Sequence, residues 1–449
     1  MRVARTERGG RAVEIPKGAR AALAVLIAIN ILNFYDRNVT GALAEPVRKE
    51  FHLSDTQIGF LGSIFIWLYA LVGVPLGSIA DRWSRKKLLA GGIVIWSLLT
   101  GLAALATTYG MLLGSRLGFA VGEAAVAPTA TSWIGDLFPA SKRAAPLALF
   151  MIGVPLGGAF AFFFSGPVAQ AFGWRAAMVV AAAPAVLLVP LLVRLREPQR
   201  GAVETHRELA PAGLAAILTV ARVPTLWWII VSGALLNFNM YALGTFVPAF
   251  LSRIHHVSLA QSGIDTGITY AVGGIAGTVV AGWFGDHMIQ HRPNGRLLWA
   301  AWIVIVGVPA SYFGIVAGEV SAAVIFLTFS YATLCTYYGL VYSAIQDIVA
   351  PTMRGTAMAM YFMAMYLCGA SFGPILTGKL SDMMARRAAD AAGSTIVTEA
   401  FKAVGLQQAM LIMPVLAVLL AVVLYVGSRT IAGDMERRRV ARDQALASA

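Results

Sequence analysis

Long apolar runs separated by short polar interruptions occupy almost the whole chain. Runs near 20 residues fall at 21–43, 57–80, 88–107, 110–135, 144–168, 174–193, 225–251, 262–284, 297–317, 320–346, 356–378 and 403–427. At about 1.5 Å per residue, each is long enough to cross a hydrocarbon core of about 30 Å as a helix. Lipid offers the backbone no hydrogen-bonding partner, so such runs must satisfy their own peptide groups, and helices do this. The pattern predicts an all-α integral membrane protein with 12 transmembrane helices in two six-helix bundles, 21–193 and 225–427. A basic N-terminus (1–20), a linker (194–224) and a basic tail (428–449) complete the division. Ser54-Asp55-Thr56-Gln57 has capping-box spacing at the start of the second run. In the linker, Leu214, Ile217, Leu218 and Ala221 follow Pro211 at helical spacing and predict a short amphipathic helix on the membrane surface.

The two bundles repeat one another. Asn33-Phe34 returns as Asn237-Phe238, and the stretch Phe51 to Gly59 as His255 to Gly263, both at an offset of 204. Gly77-Ser78-Ile79-Ala80-Asp81-Arg82 has a worn copy in Gly282-Trp283-Phe284-Gly285-Asp286-His287, and Asp136 with Arg143 recurs as Asp347 with Arg354. Two parallel halves related by a pseudo-two-fold axis are expected.

Composition agrees with burial in lipid: 58% of residues are hydrophobic and 13% charged, against about 25% charged in soluble domains. Assigning the loops alternately, the side of the termini collects 25 Lys and Arg and the other side 8, with Arg37 and Arg116 inside spans. Both termini are therefore expected in the cytoplasm. That asymmetry, with attraction to anionic lipid, accounts for the net charge of +13, and no nucleic-acid partner is implied. Ala42-Leu43-Ala44 resembles a signal-peptide cleavage site, but Asp36 and Arg37 interrupt the preceding run, so the first span is expected to be retained. Cys335 and Cys368 both fall in apolar runs and suggest neither a disulfide framework nor a zinc site.

Ionisable groups inside lipid are costly and mark pathways. Asp36, Arg37, Arg116 and Glu123 stand out. Counting residues from the span ends puts Asp36 and Arg116 at one level, with Glu123 on the Arg116 face two turns deeper, about 10 Å. Arg116 could then pair alternately with Asp36 and Glu123 as a proton relay; a permanent salt bridge is the alternative. The second half instead offers Asn237, Asn239, Tyr241, Tyr270, Tyr337, Tyr338, Tyr342 and Tyr366 which, with Asn33, are the expected substrate-cavity residues. A division of labour follows, with ion coupling in the first half and substrate contact in the second. Asp265, Lys379 and Asp382, near span ends away from the termini, are candidates for an external gate.

The string Gly77-x-hydrophobic-x-Asp81-Arg82-x-x-Arg85-Lys86-Lys87 resembles the signature loop of the major facilitator superfamily, which joins the second and third helices. The resemblance implies that Gly77, Asp81, Arg82, Arg85 and Lys86 form a cytoplasmic gate. Asn33-Phe34-Tyr35-Asp36-Arg37, Leu53 to Gln57, Arg116 to Ala124 and Asp136-Leu137-Phe138-Pro139 with Arg143 are similar to the bacterial branch of the spinster family, with Ala120 where Gly often stands. That resemblance implies a proton-sensing carboxylate at Asp36, a partner pair in Arg116 and Glu123, and an amphipathic cargo of lysophospholipid or sphingoid type. Gly153-Val154-Pro155-Leu156-Gly157-Gly158 is similar to part of an antiporter motif.

Enzyme readings fail on context. Gly369-Ala370-Ser371-Phe372-Gly373 fits a nucleophile elbow and Gly373 to Lys379 nearly fits a phosphate loop, yet both lie in one apolar run, and Leu380 stands where the second needs Ser or Thr. His287 and His291 alone make no metal site. The expected function is proton-coupled alternating-access transport in a bacterial inner membrane by a monomer needing no cofactor but the proton. A carrier of small organic or aromatic acids or drugs, and a non-transporting membrane sensor, are the alternatives.

Overall fold

The computed structural model describes residues 16, 18–80, 83–138, 142, 144–199, 214–289, 292–350 and 353–447. The described elements are helices: α1 (Ala19–Ala42), α2 (Ala44–Glu50), α3 (Asp55–Ala80), α4 (Arg85–Ala103), α5 (Tyr109–Ala124), α6 (Val126–Leu137), α7 (Ala144–Met151), α8 (Gly153–Arg194), α9 (Leu214–Ala221), α10 (Pro224–Ile254), α11 (Leu259–Ile268), α12 (Gly274–Ile289), α13 (Gly295–Val316), α14 (Val320–Ile348), α15 (Arg354–Met365), α16 (Gly373–Ala391), α17 (Glu399–Met410) and α18 (Ile412–Ala447). Single π-helical turns, Thr269–Gly273 and Tyr366–Ala370, interrupt the eighth and eleventh apolar runs.

Among the described residues, ten helices are long and apolar enough to cross a membrane. One of these, Ala145–Arg194, has 50 residues, about 75 Å of helix and more than twice the core thickness. It breaks at Gly173, whose φ of 84° is left-handed and interrupts the helix. The charged pair α5 and α6 falls outside the ten, and all twelve expected ranges hold helix. Leu71, Phe172, Leu187, Ile325 and Val415 are each more than 60% exposed on the outer surface, which suits a protein solvated by acyl chains rather than water.

Local sequence explains the helix starts. Ser54 and Gln57 form the expected capping box, Gln57 N–H donating to Ser54 Oγ and Ser54 N–H to Gln57 Oε1. Ser258 repeats the cap on Gln261 N–H. Among the described residues, His52 and His256, 204 positions apart, are the non-glycine residues with positive φ, 52° and 54°. In α9, Ala216 and Val220 are buried whereas Ile217 and Leu218 are exposed, leaving an apolar edge for the membrane surface.

In the first half α1 packs on α8, and α4 on α5 and α8; in the second, α13 packs on α14 and α18, and α10 on α18. The halves meet along two seams, α3 with α16 and α8 with α11. A methyl carbon on Gly59 would come within 2.2 Å of the Pro374 carbonyl oxygen, and one on its repeat partner Gly263 within 2.7 Å of the Phe162 carbonyl oxygen. Both seams thus need a residue without Cβ at the closest approach.

The face bearing the start of α1 and the end of α18 is here the terminal face, and its opposite the far face. Apolar packing differs between them. One buried cluster joins far-face residues of the first half, such as Val39, Leu43, Leu53 and Trp174, to the second half. A separate cluster holds first-half residues nearer the terminal face, such as Leu26, Ile93, Trp133 and Leu192, and takes in only Ala370 as a fully buried member from the second half. The halves are fused at the far face and distinct toward the terminal face.

Candidate functional site

Arg37 and Tyr241 occupy equivalent positions in the two repeats, 204 apart, and touch: Arg37 Nη1 donates to the Tyr241 hydroxyl at 3.3 Å. Symmetry-equivalent residues can meet only near the axis that relates them, so this contact marks the centre of the molecule. Arg37 Nε also donates to Glu123 Oε1 at 2.5 Å, and Nη2 pairs with the same oxygen. Its guanidinium lies 4.7 Å from the Phe34 ring centroid, 5.6 Å from that of Phe65 and 4.9 Å from that of Tyr69, a cation–π setting that compensates for lost water. Glu123 Oε2 has no hydrogen-bond partner.

Asp36 points elsewhere, because successive residues on a helix diverge by about 100°. Its side chain is fully buried and neither carboxylate oxygen is hydrogen-bonded. Arg116 Nη1 donates not to that carboxylate but to the Asp36 main-chain carbonyl at 3.1 Å, while its guanidinium faces the Phe119 ring at 5.2 Å. The expected level of Asp36 and Arg116 agrees with this contact. In this conformation Arg37, not Arg116, is the hydrogen-bonded partner of Glu123. The long Arg37 side chain accounts for the exchange: Cα–Cβ bonds tilt toward the helix N-terminus, which carries its guanidinium back along α1 to the depth of Glu123.

Aromatic groups gather around this core. Tyr366, on a π-helical turn, sits edge-on to Tyr69 at 5.8 Å and to Tyr241 at 6.3 Å. Tyr338 and Tyr342 are half-buried and in contact at 5.5 Å, and the Tyr338 hydroxyl donates to Asn237 Oδ1 at 3.2 Å. Tyr69 comes from the first half and had no signal in the sequence beyond its type, so aromatic groups of both halves gather at the centre.

The other expected cavity residues are buried among neighbouring side chains. Tyr337 is wholly buried and exchanges a hydrogen bond with Ser232 at 2.7 Å. Tyr270 is wedged between Phe162 and Tyr331 at 4.8 and 4.5 Å. Asn239 donates to the Met413 carbonyl at 3.4 Å, turned from the Asn237 and Tyr241 side of α10 because it is offset by two residues in a helix of period 3.6. Asn33 is buried with its amide nitrogen unpartnered.

At the terminal face, Arg85 is completely buried and pairs with Asp136. Glu197, just beyond α8, accepts from Ser84 Oγ at 2.7 Å, Arg85 N–H at 2.8 Å and Lys86 N–H at 3.3 Å, placing an anion on the α4 N-terminus. Burial pushes the Glu197 carboxyl up, but these donors and the Arg85 side chain hold it below the usual carboxylate range. Lys86 Nζ donates to the Val193 carbonyl at 3.0 Å. Asp81, Arg82 and the surroundings of Gly77, with Arg143 and the side chains of Asp286 and His287, lie outside the described residues. Arg296 and Asp347 form the second-half counterpart of Arg85 and Asp136, with the same separation of 51 positions.

Residues 26–374 match the family model described as Major Facilitator Superfamily. The chain belongs to that superfamily. It is 32% identical over 381 residues to an MFS-type efflux pump of Mycolicibacterium smegmatis, covering 82% of this chain and 86% of the relative. Human Protein spinster homolog 1 is 28% identical over 393 residues, covering 83% and 74%. A crystal structure of a bacterial homologue of the human lysosomal transporter Spinster, inward-facing and unoccupied, superposes with a TM-score of 0.83 at 27% identity, covering 95% of this chain and 99% of that one. A D-xylose-proton symporter shares the fold, with a TM-score of 0.65 at 17% identity. The spinster resemblance read from Asp36-Arg37 and Gly122-Glu123-Ala124 is borne out, and the chain is a multi-pass transporter rather than an enzyme.

Proposed function

We propose that this protein couples proton movement to the transport of an amphipathic, lipid-like substrate. The Asp36 carboxylate carries the coupling argument: it is 0% exposed, and neither oxygen accepts a hydrogen bond. An ionised carboxylate so placed would forfeit its hydration with only nearby groups such as the Arg116 guanidinium to offset the loss, at a cost of several kcal/mol. On this reading Asp36 holds a proton while enclosed and releases it when rearrangement brings Arg116 or water to its oxygens. Arg37 and Glu123, on the central axis, link the same helices to the substrate region.

The half-buried tyrosines 69, 241, 338, 342 and 366 supply ring faces and hydroxyls beside a buried ion pair. That surface suits a molecule with an apolar body and a charged head, in keeping with a lysophospholipid or sphingoid type of cargo. Efflux of drug-like amphiphiles is the second reading, favoured by the mycobacterial efflux pump among the relatives. The Lys and Arg asymmetry supports cytoplasmic termini, and a monomer in a bacterial inner membrane completes the proposal.

Two experiments test the reading. The thermal stability of purified protein against lysolipids, sphingoid bases, aromatic acids and sugar acids at two pH values should show selective, pH-dependent stabilisation by the lipids. Stabilisation by small acids alone would replace the lipid assignment with organic-anion transport. In proteoliposomes, Asp36→Asn should fold normally yet lose the pH dependence of flux; an unchanged pH profile would refute the coupling role.

A further inference from the structure

Buried polar groups are treated in opposite ways at the far face and inside the first half. At the far face they are paired. Arg253 of α10 donates Nη1 and Nη2 to the two oxygens of Asp55 at 2.9 Å each, and Nε to Glu45 Oε2 at 2.8 Å. Arg48 donates to Glu45 at 2.7 Å and to Glu399 at 2.5 Å. Of the three residues expected at an external gate, Asp382 joins them by accepting from the N–H groups of Asp55 and Thr56 at 3.0 and 2.9 Å. Asp265 accepts from Gln261, and Lys379 is exposed.

Inside the first half the reverse holds. Trp96, Ser97 and Thr100 of α4, with Thr129 and Trp133 of α6, are at most 2% exposed, yet their indole N–H and hydroxyl groups have no hydrogen-bond partner in the protein. Glu123 Oε2 and both Asp36 oxygens share that condition. Hydroxyls in other spans pair with their own helix: Thr266, Thr278 and Thr333 donate to carbonyls three or four residues back at 2.7 to 2.8 Å. Ser97, Thr100 and Thr129 make no such bond. The face of α8 that packs on α4 carries Ala177, Ala181, Ala182 and Ala185, which offer methyl groups only. Buried polar groups are nearly always bonded, and where the protein supplies no partner, ordered water does.

These groups form a row. Trp96 lies opposite Gly122, next to Glu123, since a methyl carbon on Gly122 would come within 3.2 Å of Trp96 Cβ. The Trp96 indole stands beside the Asp36 carboxyl, whose charged and titratable neighbours are Arg116 and Glu123 of α5 and Tyr35 of its own helix. Ser97 and Thr100 continue the buried face of α4 toward the far face, Thr100 about 6 Å beyond Trp96. Thr129 and Trp133 follow Glu123 toward the terminal face, about 9 and 15 Å further along the chain axis.

We propose that this row lines a strand of bound water inside the first-half bundle, and that protons reach and leave Asp36 along it rather than through the space between the halves. Ser97 and Thr100 serve the far-face branch; Glu123, Thr129 and Trp133 serve the terminal-face branch. At Asp36 the carboxyl O–H bond breaks as an O–H bond forms on the adjoining water, and the carboxylate left behind is balanced by Arg116. Each water passes on one proton as it receives another, so no hydroxyl of the row changes its own protonation. The inference rests on the coupling role proposed for Asp36 and adds a route separate from that of the substrate.

Two measurements on the full-length protein in lipid nanodiscs test it. Radiolytic hydroxyl-radical labelling oxidises side chains that touch water, wherever that water lies. Trp96 and Trp133, both 0% exposed, should be oxidised, whereas Met410, equally buried within an apolar cluster and of a readily oxidised type, should not. Tryptophans as inert as Met410 would overturn the hydrated row. Infrared spectroscopy then follows the carboxylic C=O stretch that is lost in Asp36→Asn, and its isotope shift in heavy water reports how fast solvent protons arrive. Ser97→Ala with Thr100→Val removes two hydroxyls at nearly constant volume and should slow the shift about tenfold or more, a barrier increase of about 1.4 kcal/mol. If the double variant does not fold, the near-isosteric Thr100→Val alone should slow it in the same direction. A folded variant that exchanges at the parental rate overturns the route. Absence of any carboxylic band removed by Asp36→Asn would refute the coupling role instead, while the labelling pattern still decides whether the row is hydrated.

Discussion

Arg37 is held at the centre by one carboxylate, one hydroxyl and three aromatic faces, and Glu123 by Arg37 alone. Removing either charge strands the other in a low-dielectric interior, at a cost of about 3–5 kcal/mol, whereas replacing both by apolar groups restores most of it. Glu123→Leu should therefore lower the apparent melting temperature in detergent by several degrees, and Arg37→Leu with Glu123→Leu should recover much of the loss. Equal losses in the single and double variants would show that the pair is not coupled. The four charges themselves were legible, because a charge inside an apolar run is conspicuous. Their partners were not: counting residues gives depth along an axis, but the direction in which Asp36 and Arg37 diverge, and the backward reach of a long side chain, belong to the packed helices. Glu45, Asp55 and Arg253 were illegible for a related reason, since they lie at helix ends where charge is ordinary.

Helices were the most legible layer, twelve apolar ranges all appearing as helix, while their interruptions were not. Gly173 breaks a continuous apolar run, and the π-helical turn that carries Tyr366 has no marker in the sequence. The start of α4 shows how a loop residue secures an element: Glu197 reaches from beyond α8 to three donors at the α4 N-terminus. Its carboxyl is held below the usual range, so its contribution is present above the ordinary carboxylate pKa and lost as pH falls through the lower folded value. Glu197→Gln should lower the melting temperature at pH 7 and narrow the gap to the parent near pH 3, as monitored by intrinsic fluorescence. An undiminished gap at pH 3 would mean the carboxylate charge is not what anchors α4.

Taken as a whole, the molecule is fused at the far face and separated toward the terminal face, and the far face holds a buried ion-pair network between the halves. Glu45 faces Arg48 and Lys49 of its own helix, Arg253 of α10, and the Asp55 and Glu399 carboxylates nearby. Burial pushes its carboxyl up, but Arg48 and Arg253 bring it below the ordinary value overall. Its stabilising share is therefore intact above about pH 4.3 and lost only on further acidification. The far-face ion pairs should therefore persist from pH 7.5 to 5.5, and Glu45→Gln should melt below the parent by the same margin across that window; a margin that closes by pH 5.5 would show that Glu45 titrates in mild acid. The exposed histidines His52 and His256 share a left-handed backbone although one neighbours a buried ion-pair network and the other a glycine-packed seam. Ancestry by duplication is thus recorded more durably in torsion angles than in charges: the turn was inherited intact, and the chemistry around each copy was rewritten to give the two edges of a single machine unequal tasks.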